Sequence, residues 1–186
     1  MSISTGIDAS PAVTVDELCG HLERTQGGDA ALLCAFARIF FAKFPRSPPQ
    51  ERSAAELAAL TVGAFRFVQR ARPDEVNVEV LDPESEGWSA PATVLRAQVV
   101  DRPFIVDTVR EYLASQEIAI HHFVYPVLGI RRGADGEVEG IGRADEGMTA
   151  EALVHCEIER LPPEQHAEIR AEVQRRLTDV VVATAD

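Results

Sequence analysis

Apolar positions along the chain recur with two different periods, and the change from one to the other divides it. Val15, Leu18, Cys19 and Leu22 fall at i, i+3, i+4 and i+7, one face of a helix capped by Thr14 or Asp16 and ended by Gly27 and Gly28. A second helix, Asp29 to Phe44, is very apolar (Leu32, Leu33, Phe36, Ile39, Phe40) and is closed by Pro45 and the loop 46–52. Ser53 with Glu56 three residues on is a capping-box pattern, opening a third helix whose apolar face runs Leu57, Leu60, Ala64, Val68. After Pro73 the period drops to two. Val76, Val78 and Val80 alternate with Asn77 and Glu79, and Leu95, Ala97 and Val99 alternate with Arg96 and Gln98, which marks strands with one face in the core.

Asp101 stands where it can cap the next helix, with Pro103 in the first turn and Phe104, Ile105, Thr108, Val109, Tyr112 and Leu113 on the inner side. The extended stretch Ile118 to Ile130 is interrupted at Pro126, which implies an edge position or a bulge, and Asp135-Gly136 signals a hairpin into Val138 and Ile141. Ala152, Val154, Cys156 and Ile158 then alternate with His155, Glu157 and Glu159. Pro162 and Pro163 open a last helix that turns Ile169, Val173, Leu177 and Val180 inward. The order α-α-α-β-β-α-β-β-β-α, with helices on one side of a half-buried sheet, predicts an α+β sandwich of ferredoxin-like type preceded by a helical segment. The expected organisation is a flexible arm over 1–13, helices over 14–73 and the α+β domain over 74–186.

Charge and composition narrow the partners. A net charge of −12 repels nucleic acid and anionic lipid, and no apolar run is long enough to span a bilayer. The first ten residues carry no secretory signal pattern. Three cysteines without a C-x-x-C pair fit reduced thiols, so a cytoplasmic location is expected. Of the 18 basic residues, Lys43 is the one lysine.

The segment Asp101-Arg102-Pro103-Phe104-Ile105-Val106 passes from a strand through an acidic residue into a helix without a gap. It resembles the effector loop of ACT domains, in which Asp, any residue, Pro and Gly precede two aliphatics; Phe104 stands in the place of the glycine. The runs Glu86-Gly87-Trp88-Ser89, Val100 to Val109, His122 to Leu128 and Val154 to Leu161 resemble, in order and spacing, blocks in the N-terminal region of the large NAD-dependent glutamate dehydrogenases. The likeness extends from about Phe36 to the C-terminus. Tyr125 departs from it, standing where that family tends to have histidine.

The resemblance implies a non-catalytic, ACT-like regulatory or assembly module. Its partners would be other domains or subunits of the same enzyme, with homo-oligomers expected. An amino acid or other small effector would sit by Asp101, Arg102, Pro103, Phe104 and His122. NAD and the oxidation of glutamate would belong to a catalytic domain far downstream, with no cofactor in this chain.

The residues agree that such chemistry is not located here. Lys43 alone cannot both hold carboxylates and act at an imine-forming carbon. Gly140-Ile141-Gly142 lacks the third glycine of a dinucleotide fingerprint and reads as a turn. No G-x-S-x-G elbow is present. Adjacent His121 and His122 must point to opposite faces of a strand, so at most one can join His155 and Glu157. An alternative reading is therefore a small metal-dependent hydrolase using His122 or His155 with Glu157; the simpler one leaves these histidines at the surface or facing a partner. The acidic stretches 82–86 and 145–151 read as solvated loops.

Overall fold

The computed structural model describes residues 12–45, 51–144 and 147–185. Most of the proposed arm, most of the loop after Pro45, and two residues of the second acidic stretch lie outside the described residues. Three helices come first: α1 (Val15–Gln26), α2 (Ala30–Phe41) and α3 (Ala54–Arg70). Both N-terminal caps follow from local chemistry. Thr14 and Glu17 form a complete capping box on α1, and Ser53 and Glu56 form another on α3, each pair satisfying amides that the first turn leaves free.

The strands β1 (Asn77–Leu81), β2 (Ala92–Val100), β3 (Ile120–Val124), β4 (Val127–Arg132), β5 (Val138–Gly142) and β6 (Thr149–Glu159) form one antiparallel sheet. Its order is β1-β2-β6-β4-β5, with β3 pairing β6 beside β4. Helix α4 (Ile105–Ser115) joins β2 to β3, and α5 (Pro163–Ala183) follows β6 with prolines at its start, where no amide hydrogen is needed. The single extended stretch expected over 118–130 is two strands. Pro126 cannot donate to a ladder, and the chain breaks there while its carbonyl accepts from the Leu153 amide. Gly140-Ile141-Gly142 is the end of β5, paired with β4, and not a turn.

The α+β architecture places two cores on the two sides of the sheet. Leu95, Ala97, Val99, Val154, Cys156 and Ile158 face α4 and α5, where Val109, Leu113, Val173 and Leu177 complete the packing. Val94, Val124, Leu128, Ile130 and Leu153 pack into the second core with Phe36, Phe40, Leu57, Leu60 and Val68 of the N-terminal helices. Every residue of β2 from Ala92 to Val99 and of β6 from Glu151 to Ile158 is consequently buried. The alternation implied strands open to water on one side. Instead, α2 and α3 cover that side, because their own apolar faces need a partner.

Candidate functional site

Covering the polar face of β2 and β6 encloses the charges that lie on it. Arg96 is 0% exposed. Its Nη1 donates to Glu79 Oε1 (2.8 Å) and Glu86 Oε1 (2.6 Å), its Nη2 to Glu86 Oε2 (2.7 Å), and its Nε to His155 Nδ1 (3.1 Å). Glu86 reaches Arg96 from the helical turn Pro83–Glu86, and Trp88 Nε1 also donates to its carboxylate. A Cβ at Gly63 of α3 would overlap that carboxylate, so the glycine is what lets Glu86 lie against the helix. The turn expected as a solvated loop therefore supplies a part-buried carboxylate to Arg96.

A second pair lies beside the first. Arg52, just ahead of α3, donates from Nη1 and Nη2 to the two oxygens of Glu157 (2.9 and 2.5 Å), and its guanidinium stacks 4.6 Å from the Trp88 ring centroid. At the other end of the sheet Arg132 makes two bonds to Glu151, and Gln98 donates to the same carboxylate.

These surroundings set the protonation states. Burial lowers the pKa of His155, and the nearby cations Arg96 and Arg52 act in the same direction; the imidazole is neutral at pH 7. With Nδ1 accepting from Arg96, the proton sits on Nε2, which faces Glu157 Oε1 at 3.5 Å without a hydrogen-bond partner. Burial pushes Glu157 up, but His155 and Arg52 outweigh it and hold the carboxyl at about 2. Burial raises Glu79, which its neighbouring arginines only partly offset. Cys156 is pushed up to about 12 by burial.

His122 pairs with Glu157 across the strands, and its ring is 6.2 Å from Phe44, which lies equally far from His155. His122, His155 and Glu157 thus share a face, as strand geometry allowed. Metal ligation is another matter: both Glu157 oxygens are taken by Arg52, His155 Nδ1 by Arg96, and no cluster of three ligand residues with metal-binding geometry occurs among the described residues. Placing His155 at the surface was incorrect; it is 0% exposed, under Phe40 and Phe44.

The turn Asp101 to Phe104 lies elsewhere. His122 stands level with Val94 through their shared neighbour Glu157, so Asp101 is seven residues further along β2, about 20 Å away at a strand's rise. The five residues expected around one effector do not converge. Asp101 does not cap α4: its Oδ1 accepts from the Tyr125 hydroxyl (2.8 Å), and α4 opens one turn later without a side-chain cap. Tyr125, the departure from the family pattern, is what holds Asp101. Arg102 Nη1 donates to the Thr184 carbonyl (3.0 Å) at the end of α5. Phe104, expected on the inner side of α4, is 63% exposed and sits at φ 71°. It keeps the left-handed backbone that glycine would adopt freely, at a strain of about 1–2 kcal/mol.

Two openings border these groups. One of ≈ 600 Å³ lies between α1, α3 and β1, floored by Gly63, Glu79 and Glu86 with Arg66 and Arg70 beside it. The other, ≈ 530 Å³, lies next to Arg102, between the ends of β2 and α5.

An antiparallel sheet backed by α4 and α5, with a strand-to-helix turn at Asp101–Phe104, defines an ACT-like α+β domain. The chain belongs to the family described as glutamate dehydrogenase, ACT1 domain, which matches residues 36–173. It is 33% identical over 140 residues to the NAD-specific glutamate dehydrogenase of Pseudomonas aeruginosa, covering 72% of this chain and 9% of that enzyme. It is 29% identical over 163 residues to the NAD-specific glutamate dehydrogenase of Halomonas elongata, covering 84% and 10% respectively. The matched region is thus about a tenth of those relatives' length. No solved structure matches the chain.

The sequence reading missed Arg96, Glu86, Glu79 and the Arg52–Glu157 pair. One signal was present: an unusually apolar α2 needs a surface to cover, and the alternating strands offered their polar side.

Proposed function

We propose that this chain is a non-catalytic assembly module of a large NAD-dependent glutamate dehydrogenase, in which oxidation of glutamate to 2-oxoglutarate and ammonia takes place in other domains. The observation that carries this reading is the internal pairing of the buried and part-buried ionisable groups between the sheet and the helical layer. Arg96 is bound by Glu79 and Glu86, Arg52 by Glu157, and Arg132 by Glu151, so these acids and cations are committed to one another. His155 is neutral and sealed from solvent, and the Cys156 thiol is buried and held in its protonated form. General acid–base or nucleophilic catalysis needs such a group free, reachable and near the working pH.

An amino-acid sensor would need the polar groups of one pocket to converge, and Asp101 and His122 stand far apart. Assembly fits better: the buried charges fix how the helical layer sits on the sheet, as paired polar groups do when they select one packing. The test is direct. The purified 186-residue chain, given glutamate and NAD, should form no NADH and give no heat of binding with glutamate. Glutamate-dependent NADH formation that persists through successive purification steps would defeat the reading.

A further inference from the structure

Cys19 of α1 and Cys34 of α2 meet where the two helices pack, and neither takes part in the buried charge network. Cys34 Sγ donates to the Cys19 carbonyl at 3.7 Å, and the two thiols are close enough to interact directly. Their access to solvent differs: Cys19 is 5% exposed, whereas Cys34 is half-buried. The remaining cysteine, Cys156, is sealed in the other core, among the residues that face α4 and α5. Burial pushes the Cys34 thiol up to about 12, Cys19 and Glu23 add to that, and the Arg38 guanidinium, one turn along α2, opposes it. At neutral pH Cys34 is therefore a protonated thiol that reacts slowly by itself.

We propose that Cys19 and Cys34 form a dithiol site that hydroperoxides oxidise to a disulfide, stapling α1 to α2. Hydrogen peroxide transfers one oxygen to the more accessible Cys34 sulfur, giving a sulfenic acid and a molecule of water. The Cys19 sulfur then attacks the Cys34 sulfur. The S–S bond forms as the S–O bond breaks, and the hydroxyl leaves with the Cys19 proton as a second water. Across both steps the two thiols give up two hydrogens and two electrons, and one peroxide is reduced to two waters. The fold supplies proximity: the second thiol already stands at the first, so closure outruns further oxidation to sulfinic acid. The staple closes the short connection between the helices and so restricts the unfolded chain more than the folded one. Since His21 and Thr25 of α1 also wall the ≈ 600 Å³ opening, oxidation fixes the helical layer where it borders Glu79 and Glu86. The site is independent of any parent reaction, and its failure leaves the assembly-module reading standing.

The test is mass spectrometry of the purified 186-residue chain after millimolar hydrogen peroxide, without reductant. A product lighter by about 2 Da is expected, with a linked Cys19–Cys34 peptide, one of the three thiols still free, and full reversal by a reductant. Its rate should rise about tenfold per pH unit between about pH 7 and 9, because the thiolate fraction of a high-pKa thiol grows that way. The linked chain should melt about 5–10 °C above the reduced one. Cys19→Ser should leave Cys34 carrying added oxygen, Cys34→Ser should give no linked product, and Cys156→Ser should behave as wild type. Three thiols that survive peroxide when folded, yet oxidise when the same chain is held in urea, overturn the proposal. So does a disulfide that joins two chains or includes Cys156, or a wild-type Cys34 that goes on to sulfinic acid with Cys19 still free.

Discussion

Gly63 shows how one residue's smallness is fixed by a charge elsewhere in the chain. A glycine inside a helix costs about 1 kcal/mol relative to alanine, so Gly63→Ala in α3 would stabilise by that amount if only the helix mattered. The Glu86 carboxylate occupies the place of the added methyl, and it cannot swing aside while Arg96 and Trp88 hold it. We expect Gly63→Ala to lose about 1–3 kcal/mol in urea unfolding, the usual penalty of overpacking. Gly20→Ala in α1 is the control: its Cβ would meet only Arg24 Nη1 at 3.4 Å, so a gain of up to about 1 kcal/mol is expected. Phe104 is the reverse case. Its local sequence reads as an inward helix residue, yet the turn gives it positive φ and exposure, because the chain must leave β2 and enter α4 within four residues. Nothing in the pattern of apolar spacing records a backbone angle.

Helix α3 and strand β6 are joined by Arg52 and Glu157, and the pair decides how the helical layer sits on the sheet. Arg52→Ala leaves the Glu157 carboxylate buried without its guanidinium, and a loss of about 3–5 kcal/mol is expected. Replacing both together, Arg52→Met with Glu157→Leu, should restore most of the stability, since the desolvation of two charges offsets much of their attraction. Chemical denaturation of the two variants checks this; equal losses in both would show that packing and not charge holds the layers. At this scale much was readable beforehand. The capping box at Ser53–Glu56 sits where the sequence put it, Thr14 is the cap of α1 out of the two candidates Thr14 and Asp16, and the period-two stretches are strands. The exposed-face reading of Arg96, Gln98, His155 and Glu157 failed because alternation reports which side of a strand is polar, and not whether another element covers that side.

Across the molecule, the enclosed charges make stability depend on pH. His155 has a folded pKa below its ordinary 6.5, so as pH falls below 6.5 the unfolded chain takes up a proton that the folded chain refuses, and stability falls. Glu157, held at about 2, adds stability that is complete above its ordinary 4.5 and is lost as pH drops toward 2. Glu79, raised by burial, runs the opposite way and offsets part of the acid loss. The urea midpoint should therefore decline already between pH 7 and about 5.5, a window in which histidine is the group expected to titrate. His155→Gln, which still offers an acceptor to Arg96, should flatten that part of the profile; an unchanged slope would place its origin in another histidine. The sequence by itself determined most of the elements, the caps of α1 and α3, the α+β class and the family likeness, because these depend on local spacing and on short runs of residues. Only the tertiary structure decided that the helical layer lies on the polar side of β2 and β6, that Arg96 and Glu157 are buried and neutralised there, and that His122 and Asp101 stand apart. Those facts depend on contacts between residues distant along the chain, such as Arg52 with Glu157, for which a single sequence carries no periodic signal.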